Sequence, residues 1–448
     1  MIIKVLRVSL FDRPIGRLFL YGDVCRFVAD VGLGADAREP VLSLSMRAAD
    51  PAAQMALWAD VKNPLFNAQG GRLPAFFQNL LPEGVLRKHI AALRNCQEND
   101  HFELLAACGN DLPGAVRVRY QETTPLDLQR LVTQGQDALE PTVIELPMDE
   151  AISVSGMQPK LALVRVGQRY VHRTKTSKGV RVIAKLPVVG QPFMPRLEVT
   201  ALALAHAAGV DVCEAKLELL SSIDALHDYN LPQEPEFLAV TRFDRAGAAH
   251  LHFEDFAQIL GKEPSAKYTG SYLDMARVMM AVPGLGEPAV LELVRRIVVN
   301  ELLGNPDGHL KNYGVLYAAG PNGLHASFAP AFDIVPYAIS QGIQGHAMHL
   351  VPRGPSKPRE GSRKQQLLTP ATVREFAALA GMPEFKVRKA IETTCVLAVA
   401  RWPAIIHSSG LPLPWVHKLL ERLDNQPLIR SSIRPASKLR PAAWTAPV

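Results

Sequence analysis

Two short segments, 305–312 and 331–336, carry the residue types best suited to chemistry. The first contains Asp307 and, five positions later, Asn312, and the second contains Asp333. A phosphotransferase of the protein-kinase type needs one group to orient the attacking hydroxyl and two oxygen ligands for Mg²⁺. The spacing therefore predicts Asp307 as the catalytic base, with Asn312 and Asp333 as magnesium ligands.

Two other interpretations of the first segment stay open. Residues 305–308 are asparagine, proline, aspartate and glycine, all strong turn formers, so they also fit a plain structural turn. A turn does not require His309, Lys311 and Asn312 to follow it, which favours phosphotransfer, with Lys311 placed to neutralise the γ-phosphate. Asp307 and His309 could instead ligate a dinuclear phosphohydrolase centre, although the other histidines supply no further ligands at motif spacing.

Lys185 ends a strand predicted at 180–186, which is where a kinase lysine that binds the α- and β-phosphates is found. Glu198 opens the next predicted helix and is its natural ion-pair partner, although the two also fit a surface lysine and a carboxylate that complements a helix dipole. Residues 153–160 could cover the phosphates through backbone N–H groups. Their single glycine, Gly156, departs from known phosphate-loop patterns, so spacing alone favours a structural turn.

The composition is that of a globular protein of two or three domains. Of 448 residues, 48% are hydrophobic and 21% are charged, which excludes a disordered or fibrous chain. The net charge of +6 suits plain solubility and also an anionic partner such as ATP or nucleic acid. Five dispersed cysteines argue against a zinc ribbon or a disulfide framework. With no signal-like N-terminus or long apolar run, the sequence predicts a cytoplasmic protein without a membrane partner.

The chain is strand-rich at its beginning. Residues 1–50 alternate short apolar runs with turn residues, as at 16–23 and 41–45, which predicts a small antiparallel sheet. Apolar residues at helical spacing follow at 76–86 and at 102–107.

A second region has the element order of a two-lobed kinase. Strands are predicted at 160–166, 180–186 and 237–243, with a helix at 197–208. Apolar residues at 290–302 follow helical spacing up to Gly304, so this helix delivers the chain to Asp307. The predicted fold class is α+β, a two-lobed protein-kinase-like fold with a small N-terminal β-rich subdomain and a mostly helical C-terminal lobe. The expected parts are 1–120 (N-terminal subdomain), 121–150 (linker), 151–245 (kinase N-lobe), 246–430 (helical C-lobe) and 431–448 (basic tail).

Six motifs give the sequence a resemblance to a known family. They are Ser-Val-Ser-Gly-Met-Gln-Pro-Lys at 153–160, Ala-Lys-Leu-Pro at 184–187, Arg-Phe-Asp-Arg at 242–245, His-Phe-Glu-Asp-Phe-Ala-Gln at 252–258, Asp-Gly-His-Leu-Lys-Asn at 307–312 and Ala-Phe-Asp-Ile-Val-Pro at 331–336. Together with residues 73–84 and 108–116, they resemble the HipA family of serine/threonine-protein kinase toxins. The resemblance runs from near residue 1 to about residue 420.

The resemblance implies an ATP- and Mg²⁺-dependent kinase that is the toxin of a type II toxin–antitoxin pair. The expected partners are a HipB-like helix-turn-helix antitoxin, operator DNA bound through that antitoxin, and a protein substrate. Characterised members phosphorylate aminoacyl-tRNA synthetases, glutamyl-tRNA synthetase in the best-known case, which stalls translation and produces growth arrest and persistence. The alternative is a non-catalytic DNA-binding corepressor, which the presence of all the expected catalytic side chains disfavours.

Carried over by position, the resemblance also assigns roles to single residues. It makes Asp307 the catalytic aspartate, Asn312 and Asp333 the Mg²⁺ ligands, and Lys185 the nucleotide lysine. The other residues expected at the nucleotide are Ser153, Val154, Ser155, Gly156, Met157, Gln158 and Lys160 of the phosphate loop, Thr241, Phe243 and Asp244 at the hinge, and Glu198, His309 and Lys311.

The same resemblance predicts self-inactivation. The family's loop serine is autophosphorylated, which ejects the loop, and by position this is Ser153. Ser155 stands where the best-known member has alanine and is a second candidate, since a phosphate charge of about −1.5 to −2 at either position would repel the nucleotide. Between residues 353 and 364 five basic residues face one acidic residue, which fits attraction to nucleic acid and equally a solvated loop.

Overall fold

The computed structural model describes most of the chain. The described residues are 2–30, 32–34, 42–121, 140–141, 148, 158–172, 178–191, 193–225, 231, 235–247, 249–320, 323–352 and 367–432. Five of the predicted loop residues, the basic segment and most of the tail lie outside them: Ser153, Val154, Ser155, Gly156, Met157, 353–364 and 433–448.

An antiparallel sheet forms the first part of the chain, as predicted. Its strands are β1 (Ile2–Leu10), β2 (Arg13–Tyr21), β3 (Val24–Ala29), β4 (Asn67–Ala68), β5 (Val116–Tyr120) and β6 (Glu140–Pro141). Their spatial order is β4-β3-β2-β1-β5, and β6 pairs with β1 in parallel. Phe11 and Asp12 join β1 to β2 with φ of 51° and 62°, the left-handed pair of a two-residue hairpin whose twist matches the strands.

One part of the predicted sheet is wrong. Residues 42–45 do not belong to a strand, and Leu44–Met46 forms a 3-10 turn. The physical reason is local, because the Ser43 hydroxyl accepts a hydrogen bond from the Ser45 N–H and so caps the turn. Alternation of apolar residues and serine looks like a half-buried strand, but serine can satisfy the backbone of a turn equally well.

Four helices accompany this sheet within residues 42–121, all of which are described. They are α1 (Pro51–Ala59), α2 (Ala75–Gln78), α3 (Gly84–Arg94) and α4 (His101–Cys108). The helical spacing at 76–86 belongs to two helices, since Pro82 lacks the N–H that a continuous helix would need and Gly84 enters α3 with φ of 57°. The prediction of helix at 102–107 is confirmed by α4.

A six-stranded sheet forms the first half of the kinase-like region. Its strands are β7 (Lys160–Val166), β8 (Arg169–His172), β9 (Val180–Lys185), β10 (Ala215–Leu219), β11 (Ile223–Asp224) and β12 (Glu236–Thr241), and their spatial order is β10-β12-β9-β7-β8-β11. The three predicted strands are confirmed to within two residues at their ends. The predicted helix is α5 (Met194–Ala207), which starts earlier because Pro195 is tolerated in a first helical turn.

The remaining chain is mainly helical. Its helices are α6 (Phe256–Ile259), α7 (Tyr272–Ala281), α8 (Gly286–Leu303), α9 (Tyr337–Ser340), α10 (Pro370–Leu379), α11 (Glu384–His407), α12 (Leu413–Asn425) and α13 (Pro427–Ser432). Two small sheets join β13 (Arg245–Ala246) to β14 (Ala249–His250), and β15 (His252–Asp255) to β16 (Gly314–Gly320) and β17 (Gly323–Phe328). The helix predicted at 290–302 is confirmed as α8, and it ends where Gly304 adopts φ of 73°.

The largest hydrophobic core joins α5 to α8 and α11. The buried Trp402 of α11 donates a hydrogen bond from Nε1 to the backbone oxygen of Leu204 on α5 at 2.8 Å. This packing fixes the β9–α5 unit relative to the loop that follows α8. A strand-rich first half and a helical second half confirm the predicted α+β class. Within the described ranges, no helix has the length and apolar character needed to cross a membrane.

Candidate active site

Lys185 lies at the centre of a buried ion-pair cluster. It is the last residue of β9, and its Nζ is 2.5 Å from Glu198 Oε1 on α5 and 2.6 Å from Asp333 Oδ1. Lys185 and Glu198 are 6% and 2% exposed. Because α5 packs against β10 and β12 of the same sheet, the lysine–glutamate pair is fixed by secondary structure. Asp333 reaches it from the helical half of the molecule.

The electrostatics of this cluster keep Asp333 anionic. Burial would raise the pKa of Asp333, but the charges of Lys185 and Lys160 outweigh burial and hold that pKa well below its ordinary value. Burial disfavours the charge of Lys185, yet Asp333 and Glu198 together raise its pKa above the ordinary value. Lys160 lies opposite Lys185 across β7 and β9, and burial with that neighbouring charge lowers the Lys160 pKa to about 8. Asp333 therefore has the charge state of a cation ligand.

Asn312 lies beside Asp333, at the end of a 3-10 turn at Leu310–Asn312. Its Nδ2 is 3.4 Å from both the backbone oxygen and Oδ2 of Asp333. Its Oδ1 is buried and has no hydrogen-bond partner within the described part of the chain. A buried oxygen without a partner costs free energy, and a cation held by Asp333 would satisfy it. Asp333 also adopts φ of 57°, a left-handed conformation that is uncommon for residues other than glycine and that occurs at active sites as well as in turns. The Asn312 amide oxygen and the Asp333 carboxylate are oxygen ligands of the kind that fits Mg²⁺.

Asp307 lies in a turn that α8 holds in place through hydrogen bonds. Asn305 Oδ1 accepts from the Asp307 N–H at 3.0 Å, and Asn305 Nδ2 donates to Asn300 Oδ1 on α8 at 3.1 Å. A Cβ at Gly308 would lie 2.9 Å from Asn300 Nδ2, so any larger residue there would have to displace Asn300 or the turn. Burial raises the pKa of Asp307, which makes it a better proton acceptor. The turn and the catalytic interpretation are therefore compatible, since the turn presents the carboxylate.

Two rings flank the Asp307 carboxylate. The Tyr268 hydroxyl donates a hydrogen bond to Asp307 Oδ1 at 2.5 Å, and His309 Nε2 is 3.9 Å from the same oxygen. Burial and the charge of Lys267 lower the His309 pKa to about 3, so the imidazole is neutral. Sequence reasoning identified His309 through its motif but missed Tyr268, which belongs to no motif.

Residues 305–312 form the proposed catalytic loop, and Lys311 within this loop is buried against the N-terminal region. Its Nζ donates to the backbone oxygen and Oδ1 of Asn79 at 3.2 and 3.0 Å, and lies 3.3 Å from Glu83 Oε1 and 3.6 Å from Asp255 Oδ2. Two carboxylates thus already neutralise the ammonium, and a γ-phosphate would have to compete with them. The sequence signal for Asn79 and Glu83 was their position as polar residues in the otherwise largely apolar run 73–84.

A cavity between the six-stranded sheet and the helical half connects most of these groups. Its lining includes the charged residues Lys160, Lys185, Glu198, Lys311 and Asp333, the paired Arg242 and Asp244, and the residues Ile183, Val240, Thr241, Phe243, Phe253 and Phe332. The Phe243 ring packs on those of Phe253 and Phe332, with centroids 5.5 and 5.4 Å apart, and the three rings form an apolar slot. An apolar slot and charged groups in one cavity suit a planar base joined to phosphates. Of the predicted residues that the structure describes, four lie outside this lining: Gln158, Asp307, His309 and Asn312.

The hinge side of the cavity contains a cluster of four charged groups. Asp244 lines the cavity, but its carboxylate accepts hydrogen bonds from Arg242, Arg245 and the Gly114 N–H at 2.8 to 2.9 Å. Asp111 of the N-terminal region binds the same two arginines at 2.8 and 2.9 Å. The Asp244 contacts therefore join the hinge to the N-terminal region. Asp111 was missed because its partners lie more than a hundred residues away.

The described end of the predicted phosphate loop leads directly into the sheet. Gln158 donates from Nε2 to the backbone oxygen of Leu186 at 2.8 Å, beside Lys185. Lys160 follows as the first residue of β7. Seen with the cavity, the arrangement offers a carboxylate base at Asp307, an oxygen pair for a divalent cation and a buried lysine, which is the equipment of phosphoryl transfer.

Two family models match the chain. The HipA N-terminal domain matches residues 6–119, which hold most of the first sheet together with Asn79, Glu83 and Asp111. The HipA-like C-terminal domain matches residues 152–402, which hold the six-stranded sheet and the catalytic loop.

Curated relatives and a solved structure agree with these matches. The putative kinase Y4dM of Sinorhizobium fredii is 29% identical over 432 residues, covering 94% of this chain and 96% of the relative. The putative kinase Y4mE of the same organism is 27% identical over 289 residues, covering 58% of this chain and 63% of the relative. A chain in the Shewanella oneidensis complex of HipA, HipB and operator DNA has a TM-score of 0.63 and 18% identity, covering 93% of this chain and 95% of that one. This similarity confirms the predicted fold.

Proposed function

This chain belongs to the HipA family, and we propose that it is an ATP- and Mg²⁺-dependent serine/threonine protein kinase. The observation that carries the proposal is the buried contact of Lys185 with both Glu198 and Asp333, with Asn312 beside Asp333. This contact joins the groups of the sheet to those of the helical half across one cavity. The kinase names of the two Sinorhizobium relatives support the same activity.

The apolar slot and the charged groups of the cavity indicate how a nucleotide would bind. The adenine would lie in the apolar slot, near the backbone of Thr241 and against Phe243. Lys185 would exchange its contact with Asp333 for the α- and β-phosphates, while Glu198 keeps the ammonium in place. Mg²⁺, held by Asn312 and Asp333, would neutralise charge on the transferred phosphoryl group. Asp333 needs no deprotonation step to take this role, because its pKa is already depressed.

Phosphoryl transfer would use Asp307 as the proton acceptor. As the acceptor oxygen bonds to the γ-phosphorus and the bond to the leaving ADP breaks, the hydroxyl proton passes to the Asp307 carboxylate. Asn305 accepts a hydrogen bond from the Asp307 N–H and donates one to Asn300, and these two bonds hold the carboxylate in position without touching the substrate. The neutral His309 beside it adds no charge that would lower the basicity of Asp307.

The wider part of the proposal concerns the biological setting. We infer that the kinase is the toxin of a HipBA-like module, acting in the cytoplasm and restrained by a HipB-like antitoxin that binds operator DNA. The Shewanella complex of HipA, HipB and DNA supports this partner. Its proposed substrate is an aminoacyl-tRNA synthetase, as in the characterised members. Self-inactivation is assigned to Ser153, with Ser155 as the second candidate.

The test of the proposal is transfer of labelled phosphate from ATP to protein. Asp307→Asn should lower labelling by roughly 10²- to 10⁴-fold, the usual contribution of a positioned general base, and EDTA should abolish it. Asp424→Asn removes an equally charged side chain from the exposed end of α12 and is the matched control. Undiminished labelling by the Asp307 variant would contradict the proposal. Phosphoproteomics after brief expression, comparing wild type with Asp307→Asn, identifies the substrate, and phosphate found only on Ser155 would contradict the choice of Ser153.

A further inference from the structure

Tyr268 occupies the hydrogen-bonding position on Asp307 that the proposed reaction needs. Its hydroxyl donates to Asp307 Oδ1 at 2.5 Å, and the residue is 38% exposed. A phosphoryl acceptor must bring its own hydroxyl within hydrogen-bond reach of the same carboxylate. In the structure, therefore, a side-chain hydroxyl of the protein lies on a carboxylate oxygen that an acceptor could use.

Tyr268 is held in position by contacts with the catalytic loop and with its own neighbour, Lys267. Tyr268 follows the 3-10 turn Pro264–Ala266, and the preceding Lys267 accepts a hydrogen bond from the Leu310 N–H at 3.1 Å. The Tyr268 ring meets the His309 ring edge-on with centroids 5.0 Å apart, and the Lys267 ammonium lies 5.5 Å from its centroid. The Tyr268 ring thus packs against His309 and Lys267. Because the residue is partly exposed, its side chain can turn outward into solvent.

We propose that Tyr268 is the residue against which an acceptor hydroxyl competes for Asp307, so that it sets which acceptors are phosphorylated. This inference rests on the proposed kinase function. An acceptor that supplies contacts to replace the phenol displaces it, and water, which makes no contacts beyond its own hydrogen bonds, does so poorly. Tyr268 itself undergoes no covalent change. The acceptor oxygen bonds to the γ-phosphorus, the bond to the leaving ADP breaks, and the proton goes to Asp307.

The phenol also affects the proton affinity of Asp307. Its hydrogen bond favours the ionised carboxylate and so opposes the increase in pKa that burial causes. Removal of the hydroxyl alone, in Tyr268→Phe, should free the carboxylate oxygen and raise the pKa of Asp307 further. Both effects are specific to contact with the base. A purely structural role of the ring would produce neither, because phenylalanine preserves the packing on His309.

The experiment uses the full chain and water as the acceptor, measured as Mg²⁺-dependent release of phosphate from ATP. Tyr268→Phe should increase this hydrolysis by about three- to tenfold, the range that corresponds to one net hydrogen bond. The KM for ATP should stay unchanged, because Tyr268 is not among the described residues that line the nucleotide cavity. The acid limb of the pH–rate profile should move to higher pH. Tyr120→Phe removes the same atom from β5, where Tyr120 pairs with Leu6 of β1, and is the matched control.

The outcomes separate this inference from the proposed function. Slower or unchanged hydrolysis in Tyr268→Phe would overturn it, and so would mass spectrometry that finds phosphate on Tyr268, since the phenol would then be an acceptor and not a competitor. If neither wild type nor variant transfers phosphate to water or protein, the kinase proposal itself fails. Transfer that depends on Asp307 but ignores the Tyr268 hydroxyl would remove only the present inference.

Discussion

Replacing Glu254 by glutamine should remove part of the pH dependence of stability. Glu254 lies in β15, and its carboxylate accepts hydrogen bonds from the Ser43 hydroxyl at 2.5 Å and the Leu44 N–H at 3.2 Å. Burial raises its pKa to about 7, and these two hydrogen bonds oppose the increase only in part. A carboxyl group that belongs to the kinase half is thus buried against the N-terminal region.

The sign and the size of the effect follow from this pKa. Because the folded-state pKa of Glu254 lies above its ordinary value of 4.5, the folded protein binds this proton more tightly than the unfolded chain does. The stabilisation is complete below about pH 4.5 and is lost as the pH rises through about 7. A difference of roughly 2.5 pKa units corresponds to about 3 kcal/mol in the free energy of unfolding. Glutamine resembles the protonated acid and does not titrate.

Calorimetry from pH 4.5 to 8 measures the effect as the difference between the two proteins. At pH 8, Glu254→Gln should unfold about 3 °C above wild type, from the entropy of unfolding expected for 448 residues, and near pH 4.5 the two should coincide. Glu301 and His252 also make stability depend on pH, because burial shifts their pKa values to about 7 and about 4. Both titrate in wild type and variant alike, so their contributions cancel in the difference between the two proteins. Glu375→Gln on α10, which is exposed, is the control. Parallel curves for wild type and Glu254→Gln would refute the reasoning.

Two other variants test the contacts around the site. Asp111→Asn leaves Arg242 and Arg245 with one buried carboxylate between them, which should lower the free energy of unfolding by about 3–5 kcal/mol. Calorimetry should then show an unfolding temperature about 3–5 °C lower. A change below about 1 °C would contradict the burial of that charge. Gly308→Ala places a Cβ 2.9 Å from Asn300 Nδ2 and should displace the Asp307 turn, so labelling should fall by roughly 10²-fold while ATP binding persists. Normal labelling would show that the turn accommodates the methyl group without displacing Asp307, which would contradict this prediction.

Sequence patterns located groups that occupy a defined place in one element. Lys185 ends a strand, Glu198 lies near the start of a helix, and Asp333 follows a strand, so position within an element made them candidates, and the family resemblance assigned them to the nucleotide and metal sites. The structure brings these three into one contact. The contact of Tyr268 with Asp307 could not be predicted in this way. The two residues are 39 positions apart, and nothing in the local pattern of residues 264–269 indicates the contact.

The same reason explains why the partners of Lys311 could not be predicted. In the sequence it is a lysine of a catalytic motif, whose free ammonium suits a phosphate. In the structure Asn79, 232 residues earlier, accepts from that ammonium, and Glu83 lies 3.3 Å away. Whether a motif lysine is free or neutralised depends on which distant segment packs beside it. That information lies in the fold and not in the spacing of the motif.

The N-terminal region therefore forms part of the site and does not merely adjoin it. It supplies Asn79 to Lys311 of the catalytic loop, Asp111 to Arg242 at the hinge, and the hydrogen-bond donors that bind Glu254. All three contacts are buried, and a buried charged group that loses its partner costs several kcal/mol. Separation of residues 6–119 from residues 152–402 would remove all three sets of contacts at the same time. The two matched domains should consequently fold, and bind nucleotide, as one unit.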